Sequence, residues 1–357
     1  MTILLSNEEI AEILTMPETI AVLEEAYVEL AEGRGVTRRR SDILTPTVRE
    51  DATYSLKSMD GVIPKLGVGA VRINSDIVTW PEVEGSKRRK KIPAAPNQRY
   101  TGLVLLFSSI TGEPLAIFPD GVVQRMRVGA TSGLGAKYMA RQDAATVGIL
   151  GSGWQAGTQL TAITAVRKIK TIKCFSPNRQ NRERFCRDMS KQLGVEVVPV
   201  TSPKEVFAGV DIAMCATSSI EHVFLEEFME PGMHVSSIKM PEVDLAVLEA
   251  ADKVGVHWHF GTPEIVVPEN HEAVEKQQGA GFKVEEGFDF SKALNLPAMI
   301  NGDVAGRDSD DEVTCFLNNL GLGYQFAAVG SLVYKKAKAL KVGNDLPTDW
   351  FTEDVHP

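Results

Sequence analysis

The feature that most constrains this chain is a short apolar strand running directly into a glycine turn. Thr146-Val147-Gly148-Ile149-Leu150 is followed by Gly151-Ser152-Gly153-Trp154-Gln155-Ala156 and then by helical sequence to Arg167. Gly151 permits a tight turn, Gly153 lets a bound group approach the backbone, and Ala156 is small enough for the helix to pack closely on its strand. The first turn of that helix carries N–H groups without intrahelical acceptors, which suits a phosphate. A lone Gly-x-Gly says little. Here the strand before, the helix after and the units that follow read as the G-x-G-x-x-A form of a dinucleotide fingerprint.

Those units recur through the middle of the chain. Runs at 145–150, 171–175, 195–200, 211–216, 233–238 and 254–257 have buried-strand character, with helical segments between most of them. Such alternation predicts an α/β fold with a Rossmann-type, doubly wound parallel sheet. Before it lies a different pattern. From 41 to about 118, β-rich runs such as 66–73 and 102–107 are broken by Pro64, Pro81, Pro93, Pro96 and Pro114, which predicts antiparallel strands. Ser6 with Glu9, and Thr15 with Glu18 around Pro17, form two capping boxes, so two helices open the chain. The Ala- and Gly-rich helical stretch 128–140 implies that another backbone comes close. A long helix at 323–339, with Phe326, Val329 and Val333 on one face, is expected to pack back on the N-terminal part. The tail 345–357 reads as loosely ordered.

The end of the second strand bears on cofactor choice. An NAD site normally places Asp or Glu there for the ribose hydroxyls. This chain reads Cys174-Phe175-Ser176-Pro177-Asn178-Arg179. No carboxylate opposes a 2′-phosphate, and Ser176, Asn178 and Arg179 supply donors, so NADP(H) is favoured over NAD(H). Arg182 and Arg184 are read as the solvated face of the next helix.

Composition excludes several classes. The 357 residues exceed what one core usually supports, and the net charge of -9 opposes a whole-protein attraction to nucleic acid or an anionic membrane. No apolar stretch is long enough to span a bilayer, and no signal peptide is read at the start. Cys174, Cys186, Cys215 and Cys315 are widely spaced without a Cys-x-x-Cys pair, which fits reduced thiols in a cytoplasm. His257-Trp258-His259 puts two imidazoles at strand spacing, but nothing nearby marks further ligands, so no metal is expected. The segment Lys87-Arg88-Arg89-Lys90-Lys91 is read as a solvated hairpin tip rather than a lid.

The chain resembles the ornithine cyclodeaminase / mu-crystallin family. The resemblance is carried by Gly112-Glu113-Pro114-Leu115-Ala116, Asp120-Gly121, Arg127-Val128-Gly129-Ala130-Thr131-Ser132, the Gly151 loop and Ala216-Thr217-Ser218. It continues in Pro231-Gly232-Met233-His234-Val235 and Gly302…Gly306-Arg307, and closes with the long helix after Gly321. It implies a substrate-binding and dimerising domain of smaller α+β type at 1–125, completed by 320–357, beside a Rossmann domain at 126–319. It also implies a homodimer and a small carboxylate-bearing imino, keto or amino acid substrate. Within the resemblance, Arg127 matches a carboxylate-binding arginine, and Arg40, in Arg38-Arg39-Arg40, lies near a second. The cofactor loop would include Gly151, Ser152, Gly153, Trp154, Gln155 and Ala156, with Ala216 and Thr217 opposite.

Two departures redirect the chemistry. Counting from Met59, the family's active-site lysine position falls at Arg72, or at Gly69 if the strand slips. Arg72 can bind a carboxylate or carbonyl oxygen of the substrate, but arginine stays protonated and is a poor proton shuttle. At Ser237-Ile238-Lys239-Met240-Pro241, Lys239 stands where cyclodeaminases carry Asp, and an ammonium opposes the cationic iminium of that reaction. The expected activity is therefore an NADP(H)-dependent reduction or oxidation at an α-carbon, with Lys239 as acid and Lys57 in reserve. An ornithine cyclodeaminase-type lyase and a mu-crystallin-type NADPH-dependent binding protein are the alternatives.

Overall fold

The computed structural model describes residues 1–83, 86–87, 90–219, 221–239, 242–259, 264–268 and 287–354. Two sheets organise it. The first runs in the order Glu264–Val266, Ser41–Pro46, Ala52–Ile63, Val68–Thr79, Thr101–Ser108, Pro114–Pro119, Thr2–Leu4, Asn344–Leu346. Its long central strands are antiparallel, whereas Thr2–Leu4 runs parallel to Pro114–Pro119 and Glu264–Val266 parallel to Ser41–Pro46. Residues alternate strictly along the 12-residue strands Ala52–Ile63 and Val68–Thr79, with one side buried and the other partly exposed. Met59 lies directly opposite Arg72, and Gly69 opposite Val62.

The second sheet is parallel throughout, in the order Glu196–Pro199, Thr171–Phe175, Thr146–Leu150, Ile212–Cys215, His234–Ser237, Thr314–Leu317, Lys253–Val256, Leu294–Asn295. Strand order reverses at Thr146–Leu150, where an open α/β sheet leaves a crevice at the carboxyl ends of its strands. The fold is thus a Rossmann-type parallel sheet joined to a mainly antiparallel α+β sheet.

Helices Met16–Ala31, Gly121–Met139 and Gly323–Leu340 fill the space between. The first buries Ile20, Leu23, Tyr27 and Leu30 at helical spacing, each contributing about 1.5–3 kcal/mol by leaving water. The last lies on the first sheet as expected, so closely that a Cβ on Gly61 would stand 2.5 Å from the Tyr324 backbone. The small residues of Gly121–Met139 have the anticipated cause: a Cβ on Gly129 would lie 2.6 Å from the Thr158 carbonyl oxygen.

Three local expectations change. The Ser6–Glu9 box forms, but the Thr15 side chain makes no cap bond to its helix; its hydroxyl donates to the Glu18 carboxylate, which Lys336 also grips at 2.6 Å. The start of the tail is ordered as an edge strand, because Thr2–Leu4 offers Asn344–Leu346 an unpaired ladder, while 355–357 lie outside the described residues. In the basic segment, Ser86–Lys87 pairs with Glu82–Val83, while Arg88 and Arg89 lie outside the described residues. Lys91 is no solvated tip: Lys90–Ile92 adds to Val68–Thr79, and the Lys91 ammonium turns inward to Asp76 at 2.8 Å.

Candidate active site

At the fingerprint loop, Gly151 has φ +112°, and a Cβ there would stand 2.2 Å from the Ala216 carbonyl oxygen. Only glycine fits. Gly153 caps the helix Trp154–Val166 in extended backbone, and a Cβ on it would meet no protein atom within 4 Å. Packing does not demand glycine there, and the open backbone at the helix N-terminus leaves room for a phosphate. Ala156 is fully buried against the sheet. Trp154 is more than half exposed, with the Arg125 guanidinium 5.6 Å from its ring centre. Gln155 Oε1 is buried without a partner.

The Ser152 hydroxyl meets that of Ser176 at 2.8 Å, joining the fingerprint to the end of the second strand. Asn178 caps the helix Arg179–Leu193 by accepting from the Asn181 N–H. Arg179 is exposed and pairs with Glu183 at 2.7 Å. Arg182 departs from the solvated-face expectation. It is buried under the strand end, donates to the Ser176 carbonyl at 2.5 Å and lies over the Phe175 ring, because a helical side chain leans toward its N-terminus.

On the inner face of the first sheet, three guanidinium groups converge. Arg40 is held by both oxygens of Asp42, at 2.7 and 2.8 Å. Arg72 donates from Nε to Asp120 at 2.8 Å, and Asp120 fits only because Gly102 opposite lacks a Cβ. Arg127 is 4% exposed, and its donors reach neutral amides: Gln325 Oε1 at 2.8 Å and Gln124 Oε1 at 2.8 and 3.3 Å. No carboxylate pairs with it among the described residues. Burial first, then the Arg72 charge, pushes its pKa down to about 9, still protonated at neutral pH. The Phe326 ring lies 5.3 Å from Arg127 and 5.5 Å from Arg72. Burial likewise lowers Arg40, with Arg72 adding to the effect.

Lys57 shares this face but faces Asp76 at 3.5 Å, beside Lys91. Lys239 belongs to another group, at the carboxyl end of His234–Ser237. Its ammonium donates to the Ser219 carbonyl at 2.7 Å, and burial lowers its pKa while the charge of Glu242 raises it. Glu242 is fully buried, accepts the Thr217 N–H at 2.5 Å, the Thr217 hydroxyl at 2.7 Å and the Ser237 hydroxyl at 2.9 Å, and so fixes the loop after Ile212–Cys215. Burial raises its pKa.

Sequence reasoning assigned no role to Gln124, Gln325, Glu242 or Asp120. Only Asp120 carried a signal, the Asp120-Gly121 pair. Gln325 stands 198 positions from the arginine it contacts, on a helix face read as apolar core, so nothing local announces it. His257 follows its strand rather than lying in it, and His259 gives its Nε2 to the Ala293 carbonyl at 2.9 Å. The two rings therefore do not share a strand face.

The pattern of the ornithine cyclodeaminase/mu-crystallin family matches residues 1–341. A Delta(1)-pyrroline-2-carboxylate reductase of Bacillus thuringiensis subsp. konkukian is 27% identical over 348 residues, covering 97% of this chain and 99% of that protein. An alanine dehydrogenase of Archaeoglobus fulgidus is 26% identical over 358 residues, covering 97% and 98%. Among solved structures, the Delta(1)-pyrroline-2-carboxylate reductase of Thermococcus litoralis, in complex with NADH and L-proline, superposes with a TM-score of 0.78 at 26% identity, covering 97% of this chain and 100% of that one. With the fingerprint loop, the paired sheets and this end-to-end match in hand, the chain belongs to the ornithine cyclodeaminase/mu-crystallin family.

Proposed function

We propose that this chain is a nicotinamide-dependent oxidoreductase acting at the α-carbon of a small imino, keto or amino acid. The observation that carries the reading is Arg127, a buried guanidinium whose hydrogen-bond partners among the described residues are neutral amides. A buried cation without a counter-ion is costly unless an anion completes it, and a substrate carboxylate matches its planar fork. The carboxylate of Asp120, whose charge reaches Arg127, is committed to Arg72. Relatives named as reductases of a cyclic imino acid and as an alanine dehydrogenase support the same substrate class.

The loop Gly151 to Ala156, Ser152 and the Thr217 turn would hold the dinucleotide, and the open side of Gly153 fits its pyrophosphate. When bound, that cofactor gives or takes a hydride at its nicotinamide ring. Arg127 orients the carboxylate, Arg72 and Arg40 set the positive potential around it, and the buried faces of both sheets exclude water. Lys239 holds a proton within reach of the strand ends, and Lys57, facing Asp76, is the reserve donor. Lys239 stands where cyclodeaminases carry Asp, so the carboxylate that would stabilise a free iminium in ornithine cyclisation is missing, whereas in reduction Lys239 can deliver a proton to the nitrogen or oxygen as the hydride arrives.

NADP(H) is the cofactor we assign. Ser176, Asn178 and the first turn of Arg179–Leu193 supply donors where no carboxylate stands, and the Thermococcus relative's NADH is the case to compare. The first sheet and its C-terminal helix form the substrate-binding and dimerising unit, to which Glu264–Val266 lends a strand from within the cofactor unit. Its outer face leaves Ile43, Leu56, Val62, Ile73, Leu103 and Phe107 partly or well exposed, an apolar surface that a second copy would cover.

The test is a paired assay on one preparation: NADPH and NADH consumption with Δ1-pyrroline-2-carboxylate and with pyruvate plus ammonia, against ammonia release from ornithine. Reductive turnover supports the reading. Efficient ornithine turnover, or none with any substrate, refutes it.

A further inference from the structure

Two buried side chains at the carboxyl ends of neighbouring parallel strands have polar atoms that nothing satisfies. Val256 and Leu317 are register partners, so His257 and Asn318, one residue on, stand side by side beyond the sheet. Each is 3% exposed. Asn318 donates through Nδ2 to the Val128 carbonyl at 2.9 Å and the Ser132 hydroxyl at 3.0 Å, which fixes its orientation and leaves Oδ1 without a partner. Both bonds reach the helix that carries Arg127. Neither ring nitrogen of His257 has a hydrogen bond; the Leu317 and Leu320 carbonyls face the ring without completing one.

The following residue, Gly321, lies against the Arg127 guanidinium so tightly that a Cβ would stand 2.4 Å from Nη1. Arg127, Leu320, His257 and Asn318 therefore lie next to one another at the strand ends. Burial, with the Arg127 charge adding to it, pushes His257 down to about 4, so its imidazole is neutral and keeps a lone pair. A carbonyl oxygen and a neutral imidazole are two acceptors, and buried acceptors left empty cost about 1–3 kcal/mol each.

We propose that His257 and Asn318 receive the N–H of the substrate's α-nitrogen, so that the site selects imino and amino acids over oxygen-bearing analogues of the same shape. This rests on Arg127 as the carboxylate anchor. The nitrogen of an α-amino acid, or of an α-imino acid once protonated, lies two bonds from its carboxylate carbon, so a substrate held by Arg127 presents that N–H toward the groups beside Arg127. The family's acidic position cannot serve, since Lys239 occupies it and is bonded to Ser219.

The probes are pyrrole-2-carboxylate, which has a ring N–H, and furan-2-carboxylate, which has an oxygen there. Dissociation constants are measured by calorimetry on the NADPH-loaded protein. Wild type should bind the pyrrole about tenfold more tightly. His257→Leu should bring the two within about twofold, and His257→Gln should restore part of the gap. Among the described residues His257 completes no hydrogen bond, so its replacement leaves no bonded partner behind. Equal affinities in wild type, or an unchanged ratio in folded His257→Leu, would overturn the nitrogen subsite alone. Failure of both ligands to bind would instead remove the anchor and the proposal with it.

Discussion

Arg127→Met removes a buried cation while leaving every neighbour that held it able to find another partner. Gln325 Oε1 keeps the Leu322 N–H at 3.0 Å, and Gln124 is only half-buried. Methionine is similar in length and places its thioether against Phe326, where the guanidinium lay. The fold therefore loses an uncompensated charge and strands no buried polar atom, so the unfolding midpoint should hold or rise by a few degrees. Substrate binding should fall steeply. Two charge-assisted hydrogen bonds to a carboxylate contribute about 1.5–3 kcal/mol each, which corresponds to a loss of roughly 10² to 10⁴ in kcat/KM. The affinity for NADPH should change little. Steady-state kinetics, a cofactor titration and a thermal scan on one preparation give all three quantities. A midpoint several degrees lower with kcat/KM unchanged would show that Arg127 braces the fold, and the functional reading would fall with it.

Further outcomes follow from other parts of the structure. Wild type should bind NADPH more tightly than NADH, and Arg179→Ala should narrow the gap; tighter NADH binding in the wild type would end the assignment. Lys239→Met should lower the reductive rate with cofactor affinity intact, because only a proton carrier is lost, and an undiminished rate would clear Lys239 of that role. Light scattering at micromolar concentration should give a dimer, and Val62→Lys on the outer sheet face should weaken it; a wild-type monomer would remove the premise. Stability should fall with pH. Burial holds His234 at about 3 and His257 at about 4 when folded, against 6.5 for the free group, so unfolding takes up protons. Their contribution is complete above pH 6.5 and shrinks toward pH 4, by about 1.4 kcal/mol per pH unit for each. Urea midpoints between pH 7.5 and 5 measure it, and a flat profile would contradict the burial.

The parts of this molecule that depend on local pattern were readable from the chain. Gly151 and Gly153 announce their loop because the turn and the helix start lie within six residues, and the parallel strands announce themselves by apolar runs at regular spacing. Residues that act across the fold gave no such signal. Glu264–Val266 is too short to be recognised and pairs with a strand more than 200 positions away. Thr15 had the right spacing for a capping box, yet Lys336 drew Glu18 into a tertiary contact. Arg182 carried the composition of a solvated helix and became buried because Phe175 and the Ser176 carbonyl lie beneath it. At the substrate end, Arg127 and Arg40 were legible through their match to the family and two further positions through their departure from it. Arg72 and Lys239 were visible as substitutions, whereas the amides that frame Arg127 were not.

The bond between Gln325 and Arg127 also has a temporal side. A ribosome releases the whole parallel sheet, through Leu317, before it releases the helix Gly323–Leu340. Until that helix arrives, Arg127 and the hydroxyls of Tyr27 and Thr131 have no Gln325 to bind. The nascent chain can thus assemble its parallel sheet while the surroundings of Arg127 are still open to water. Closure of the structure around Arg127 waits on the helix Gly323–Leu340.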